Sequence, residues 1–145
     1  MAYRRILLAA DFSEHGEEVI QRALELATKY AAELGIIHVV ENVPIMDSSY
    51  GPIVPFDIDL TDQMVEAARK RLAEIAESLA IPEDRRWVEI GSPKVEIIRV
   101  AKEWQADLIV IGSHGRHGFG LLLGSTAASV IHHAENDVLA VRLRR

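Results

Sequence analysis

The sequence predicts an α/β fold: a single open five-stranded parallel sheet with helices on both faces. Three observations predict it. The short runs Ile6-Leu7-Leu8, Ile36-Ile37-His38-Val39-Val40, Leu108-Ile109-Val110-Ile111 and Val138-Leu139-Ala140-Val141 are apolar with little polar alternation, as strands covered on both faces require. Between them lie stretches whose apolar residues recur at helical spacing. Strands and helices alternate along the whole chain, the order of a parallel sheet built by right-handed crossovers.

The first strand is expected over residues 3–10 and the first helix over 13–34. Val19, Ile20, Ala23, Leu24, Ala27, Tyr30, Ala31 and Leu34 form that helix's inner stripe, and Gly35 stands where a left-handed C-terminal cap belongs. The second strand covers 36–40. Residues 41–60 contain Pro44, Gly51, Pro52 and Pro55 and read as a long connection of the kind used for lids, binding loops or disordered stretches. A helix over 61–79 presents Met64, Val65, Ala68, Leu72, Ile75, Ala76 and Leu79 as one stripe. The third strand is 86–90. Ser92 then serves as N-cap, Pro93 as first helical residue and Glu96 as a first-turn acid, with Val95, Ile98, Val100 and Ala101 facing inward. The fourth strand is 108–111, the last helix 125–133 and the last strand 138–141.

The 145 residues suit one domain, 1–145, with a core that needs no staples. The absence of cysteine excludes disulfides, thiol catalysis and cysteine-ligated metal. A formal charge of −6 argues against nucleic acid as a partner. No apolar run approaches the roughly 20 residues of a membrane span. Asp11 interrupts the start where a signal peptide needs apolar residues, so a cytoplasmic location is expected.

In such sheets ligands sit at the carboxyl ends of the strands. Asp11, Val39 and the pair Gly112-Ser113 all end or follow strands on that edge. Five of the nine glycines fall within residues 112–124, between the fourth strand and the last helix. Glycines there let backbone N–H groups approach an anion, and the helix start adds free donors and a favourable dipole. The dinucleotide fingerprint is absent after the first strand, which continues Ala9-Ala10-Asp11-Phe12-Ser13, and no Gly-Lys pair exists for a P-loop. A phosphoacceptor arrangement is also poorly matched, since Ile90-Gly91-Ser92 ends the third strand and Arg142 follows the fifth.

The segment Gly112-x2-Gly115-x8-Gly124-Ser125-Thr126 resembles the nucleotide motif Gly-x2-Gly-x9-Gly-Ser/Thr of the universal stress protein family. The likeness extends to residues 6–14, to His38-Val39-Val40, to residues 107–115 and to residues 137–141, in order and over essentially the whole chain. It implies the Rossmann-like, adenine-nucleotide alpha-hydrolase-like form of the fold and a stress-response role. It also implies a homodimer built on the last strand (Val138, Leu139, Ala140, Val141) and, in some members, binding of ATP or a related adenine nucleotide such as AMP, with magnesium. Carried over by position, Ala9, Ala10, Val39 and Ile111 flank the adenine. Asp11 meets the ribose or the metal, and Gly112 and Gly115 meet phosphate or ribose. Gly124, Ser125 and Thr126 donate to phosphates, with Ser113 and His114 as further phosphate contacts. The middle gap is eight residues where the motif has nine, which shortens the reachable span by up to about 3.5 Å.

Several readings stay open beside these. Asp11-x-x-Glu14 has the spacing of a capping box, and Ser13 is a second capping candidate. His114 and His117 are either phosphate donors or ordinary surface residues. His132 and His133 are solvent-facing or C-terminal caps, and His38 is a satisfied core histidine. No metal site and no catalytic residue is assigned. The functional readings are a regulatory nucleotide-binding dimer, a nucleotide-free interaction protein of the same fold with an unidentified signalling partner, and a slow ATP hydrolase.

Overall fold

The structure is a computed structural model and describes residues 3–13, 16–41, 58–113 and 123–142. Five parallel strands, β1 (Arg5–Ala9), β2 (Glu33–Glu41), β3 (Arg86–Gly91), β4 (Leu108–Gly112) and β5 (Asp137–Val141), form one sheet in the order β3-β2-β1-β4-β5. The helices are α1 (Gly16–Tyr30), α2 (Ile58–Ser78), α3 (Pro93–Trp104) and α4 (Ser125–His133).

The apolar runs are explained by a core on each face. Ile6 and Leu8 of β1, Ile36 of β2 and Val110 of β4 pack against Val19, Ala23 and Ala27 of α1 and Leu72 and Ala76 of α2. Their neighbours Leu7, Ala9, Ile37, Ile109 and Ile111 face the other way, onto Ile97, Val100 and Ala101 of α3 and Ala127 and Val130 of α4. Alternation along β1, β2 and β4 is therefore present, but both sides are buried, so little that is polar marks it.

The first helix ends at Tyr30, not at 34, and β2 begins at Glu33. Its left-handed closing residue is Ala31 (φ 50°), with Ala32 N–H donating to Ala27 O at 2.8 Å. Ala80 (φ 56°) and Gln105 (φ 60°) close α2 and α3 in the same way. Each helix is followed by a buried or half-buried apolar residue that folds back over its last turn. Gly35 is thus no cap. It pairs with Leu7 inside the sheet, and a Cβ there would lie 2.9 Å from Trp87 and 3.1 Å from Trp104. Its smallness makes room for the tilted pair of indoles, 5.4 Å apart, that covers it.

Other boundaries move less. Glu41 ends β2 and residues 58–60 are already helical, so of the 41–60 connection only 42–57 remains, outside the described residues. Three residues expected inside are exposed: Ala31, Met64 (47%) and Val95 (61%). On α3 the inward stripe is Ile97, Val100, Ala101 and Trp104, so the buried face begins two residues later than Val95 suggests. Pro93 holds the first helical position as expected, but Ser92 makes no side-chain capping bond.

At the amino edge of the sheet, Asp107 accepts the backbone N–H groups of Arg4 and Arg5 at 2.8 and 2.9 Å. Tyr3 Oη donates to Asp137 at 2.7 Å. These bonds tie β1 to the starts of β4 and β5 and leave the carboxyl edge to other work.

Candidate functional site

The strand order reverses at the middle of the sheet. From β1 the chain crosses to β2 on one side, and it returns to place β4 on the other. The carboxyl ends of β1 and β4 consequently diverge into a crevice, the place where open parallel sheets bind ligands.

Residues 10–13 turn out of β1 over this crevice. Ala10 N–H donates to Ile37 O at 2.9 Å, and Asp11 Oδ1 accepts Ser13 N–H at 2.9 Å. Phe12 adopts a left-handed φ of 61°. Gly16 N–H then donates to Ser13 O at 3.0 Å as α1 begins. Asp11 is therefore bonded within its own turn. The capping box it would complete needs Glu14, which lies outside the described residues.

Beneath the turn is a cavity of about 210 Å³. Leu8, Val19 and Ile75 give it apolar walls, while Asp11, Ser13 and Arg71 bring polar atoms to it and Gly112 closes it from β4. The Ser13 hydroxyl is buried without a hydrogen-bond partner, a polar atom available to an occupant. Arg71 had no motif to announce it, and the sequence marks Ser13 only as a cap. Arg71 reaches the cavity only because α2 packs on the same face of the sheet as the turn.

The predicted adenine residues divide between the two faces. Ala9 (8% exposed), Val39 (7%) and Ile111 (6%) lie together in the α3–α4 core. Ala10 packs on the α1–α2 side. Ala9, Ala10, Asp11 and Gly112 all line the cavity.

The phosphate end is partly described. Ser113 is buried, and its N–H donates to Val141 O at 2.8 Å. Gly124 N–H donates to Ser113 O at 2.6 Å, so the far end of the glycine segment is fastened to the tip of β4. Gly124 is the N-cap of α4, with no side-chain capping bond, and its carbonyl accepts Ala128 N–H at 2.9 Å. Ser125, Thr126 and Ala127 thus carry the N–H groups that no intrahelical acceptor serves. His114, Gly115, His117, Gly118 and Gly120 lie outside the described residues.

His133 and His38 have local partners. His133 Nδ1 meets Ser129 O at 2.9 Å in the last turn of α4, and His38 Nδ1 meets Ala10 O at 2.6 Å. Among the described residues no three His, Asp or Glu side chains converge as a metal site. Among them, too, no helix is long and apolar enough to cross a membrane.

Known proteins share this architecture. The model of the universal stress protein family matches residues 2–142. Universal stress protein A homolog 2 of Coxiella burnetii is 42% identical over 143 residues, 98% of this chain and 97% of that protein. The solved structure of hypothetical protein MJ0577 superposes with a TM-score of 0.82 at 28% identity, covering 100% of this chain and 99% of that one. A universal stress protein solved in complex with cAMP shares the fold at a TM-score of 0.65 and 24% identity, over 97% and 98% of the two chains. With the crevice between β1 and β4, the pinned glycine segment and a family match over nearly its full length, this chain belongs to the universal stress protein family.

Proposed function

We propose that this protein is a cytoplasmic stress-response regulator that binds an adenine nucleotide, ATP or AMP, at the carboxyl edge of its sheet and works as a homodimer. One observation carries the nucleotide reading. Asp11 and Gly112 come from different strands onto one cavity, while the Ser113–Gly124 bond sets the head of α4 beside the tip of β4. That combination offers a carboxylate for a ribose or metal, an apolar recess and a row of N–H donors for phosphate. A universal stress protein of this fold was solved in complex with cAMP, which supports the reading; the assignment rests on this chain's own residues.

Magnitudes say which parts matter. A helix terminus facing an anion contributes at most about 2 kcal/mol, whereas micromolar binding needs about 8 kcal/mol. The recess and the ribose contacts must supply the larger share. Magnesium fits only as a companion of the phosphates. Among the described residues Asp11 and Glu17 are the acids that line the cavity, and this ion is commonly held by one or two carboxylates together with phosphate oxygens.

The homodimer reading rests on β5, an edge of the sheet whose Val138, Leu139 and Ala140 are only partly buried. Such an edge is satisfied by pairing with a second copy. Sedimentation at tens of micromolar tests it: a dimer is expected, and a monomer rejects this reading.

Calorimetric titration with ATP, AMP and cAMP tests the nucleotide assignment. Micromolar affinity is expected for at least one of them, lost by Ser125→Glu, which sets a negative charge where phosphate would lie. Absence of binding to the wild-type protein, or unchanged binding by Ser125→Glu, rejects the site.

A further inference from the structure

The turn carrying Asp11 is held from behind by a strand that the nucleotide reading does not otherwise use on that face. His38 sits inside β2, opposite Val88 of β3, and is 9% exposed. Its Nδ1 lies 2.6 Å from the carbonyl oxygen of Ala10. A carbonyl only accepts, so Nδ1 carries the hydrogen and donates. The imidazole then lies flat on the ring of Phe12, with centroids 3.8 Å apart and planes 22° from parallel. The Arg71 guanidinium stands over the same Phe12 ring at 5.5 Å.

One side chain of β2 therefore grips residues 10 and 12, the two neighbours of Asp11. The grip is needed, because Phe12 holds a left-handed φ that residues with a Cβ avoid. The bond from Ser13 N–H to Asp11 Oδ1 shapes the turn locally but does not fix where it stands over the crevice.

We infer that His38 is a positioning residue for Asp11: by donating to Ala10 and stacking on Phe12 it sets the carboxylate over the cavity, without touching the ligand. The inference rests on the nucleotide reading for its effect on affinity, but its geometry is testable without any ligand. It makes His38 more than a satisfied core residue, since a leucine or phenylalanine would fill the volume and leave the Ala10 carbonyl unserved.

Two substitutions separate the bond from the ring. His38→Asn keeps a donor near the Nδ1 position and loses the stack; His38→Phe keeps a ring and loses the donor. We expect His38→Phe to weaken binding of ATP or AMP by about tenfold or more, while His38→Asn stays within about threefold of wild type. Amide hydrogen exchange supplies the second readout. In His38→Phe the Ser13 N–H should exchange about tenfold faster relative to the Leu8 N–H in the same molecule, whereas a general loss of stability accelerates both alike. If His38→Phe does not fold, Phe12→Leu removes only the stack, and a smaller selective acceleration at Ser13, about threefold relative to Leu8, is expected. Equal acceleration at Ser13 and Leu8, or no acceleration, overturns the inference. Failure of the wild-type protein to bind any nucleotide overturns the proposed function instead, and the exchange ratio still decides the role of His38.

Discussion

Gly35 and Tyr3 show how one side chain's surroundings decide its chemistry. A methyl group at Gly35 would press into two indoles at once, one of them closer than real Cβ contacts allow. Gly35→Ala should cost about 1–3 kcal/mol of stability, read as a lower urea midpoint with an unchanged slope. Tyr3 donates to Asp137, and this hydrogen bond, then burial, then the carboxylate's charge raise its pKa above the usual 10.0. A phenol whose folded-state pKa exceeds its unfolded value contributes stability that is full below pH 10.0 and fades as pH rises through the folded value. Tyr3→Phe should therefore be less stable than wild type near pH 8, and the two midpoints should converge as pH rises through the raised folded-state pKa. Neither role was legible in the sequence. Gly35 follows a helical stripe and so imitates a cap, and Tyr3 meets Asp137 only through folding.

The helices repeat one ending three times, with Ala31, Ala80 and Gln105 in the left-handed position and none of them glycine. All three are exposed, and each accepts a backbone conformation that glycine adopts without penalty. Ala31→Gly, Ala80→Gly and Gln105→Gly should each leave stability unchanged or raise it by up to about 1 kcal/mol, in contrast to the usual effect of added glycine. Thermal unfolding of the single variants checks this. The stripe on α3 makes a second comparison. Ile97→Ala should cost about 2–5 kcal/mol, whereas Val95→Ser should fall within about 0.5 kcal/mol of wild type. Strand and helix identities were legible because each apolar period is strong. Helix ends were not, because the ending that occurs here uses alanine and glutamine, which carry no turn signature.

The two cores meet only through the sheet, so the molecule presents its carboxyl edge as a seam between layers. The crevice was legible in outline, since the order of strands and helices places Asp11 and Gly112 on one edge. The division of Ala9, Val39 and Ile111 from Ala10 and Phe12 was also implicit in strand alternation. Arg71 was not legible, because its approach depends on how α2 lies across β1, and the sequence marks Ser13 only as a capping candidate. A ligand bound at this seam touches elements of both layers and should stabilise the whole fold. At a hundredfold excess over its dissociation constant it adds about 2.7 kcal/mol, a rise in melting temperature of about 5–10 °C for a chain of this size. Scanning calorimetry with ATP or AMP should show that rise in wild type and not in Ser125→Glu.

The bonds from Ser113 to Val141 and to Gly124 act as a clasp at the base of the glycine segment. Once the clasp is shut, the number of residues it encloses hardly matters to folding, because the entropy of closing a loop changes by only about 0.6 kcal/mol when its length doubles. A segment one residue shorter than the family pattern is therefore nearly free of consequence for the scaffold. Its length is left to answer to whatever it encloses, and inserting a residue between Ser113 and Gly124 would alter ligand choice while leaving the melting temperature of the free protein in place.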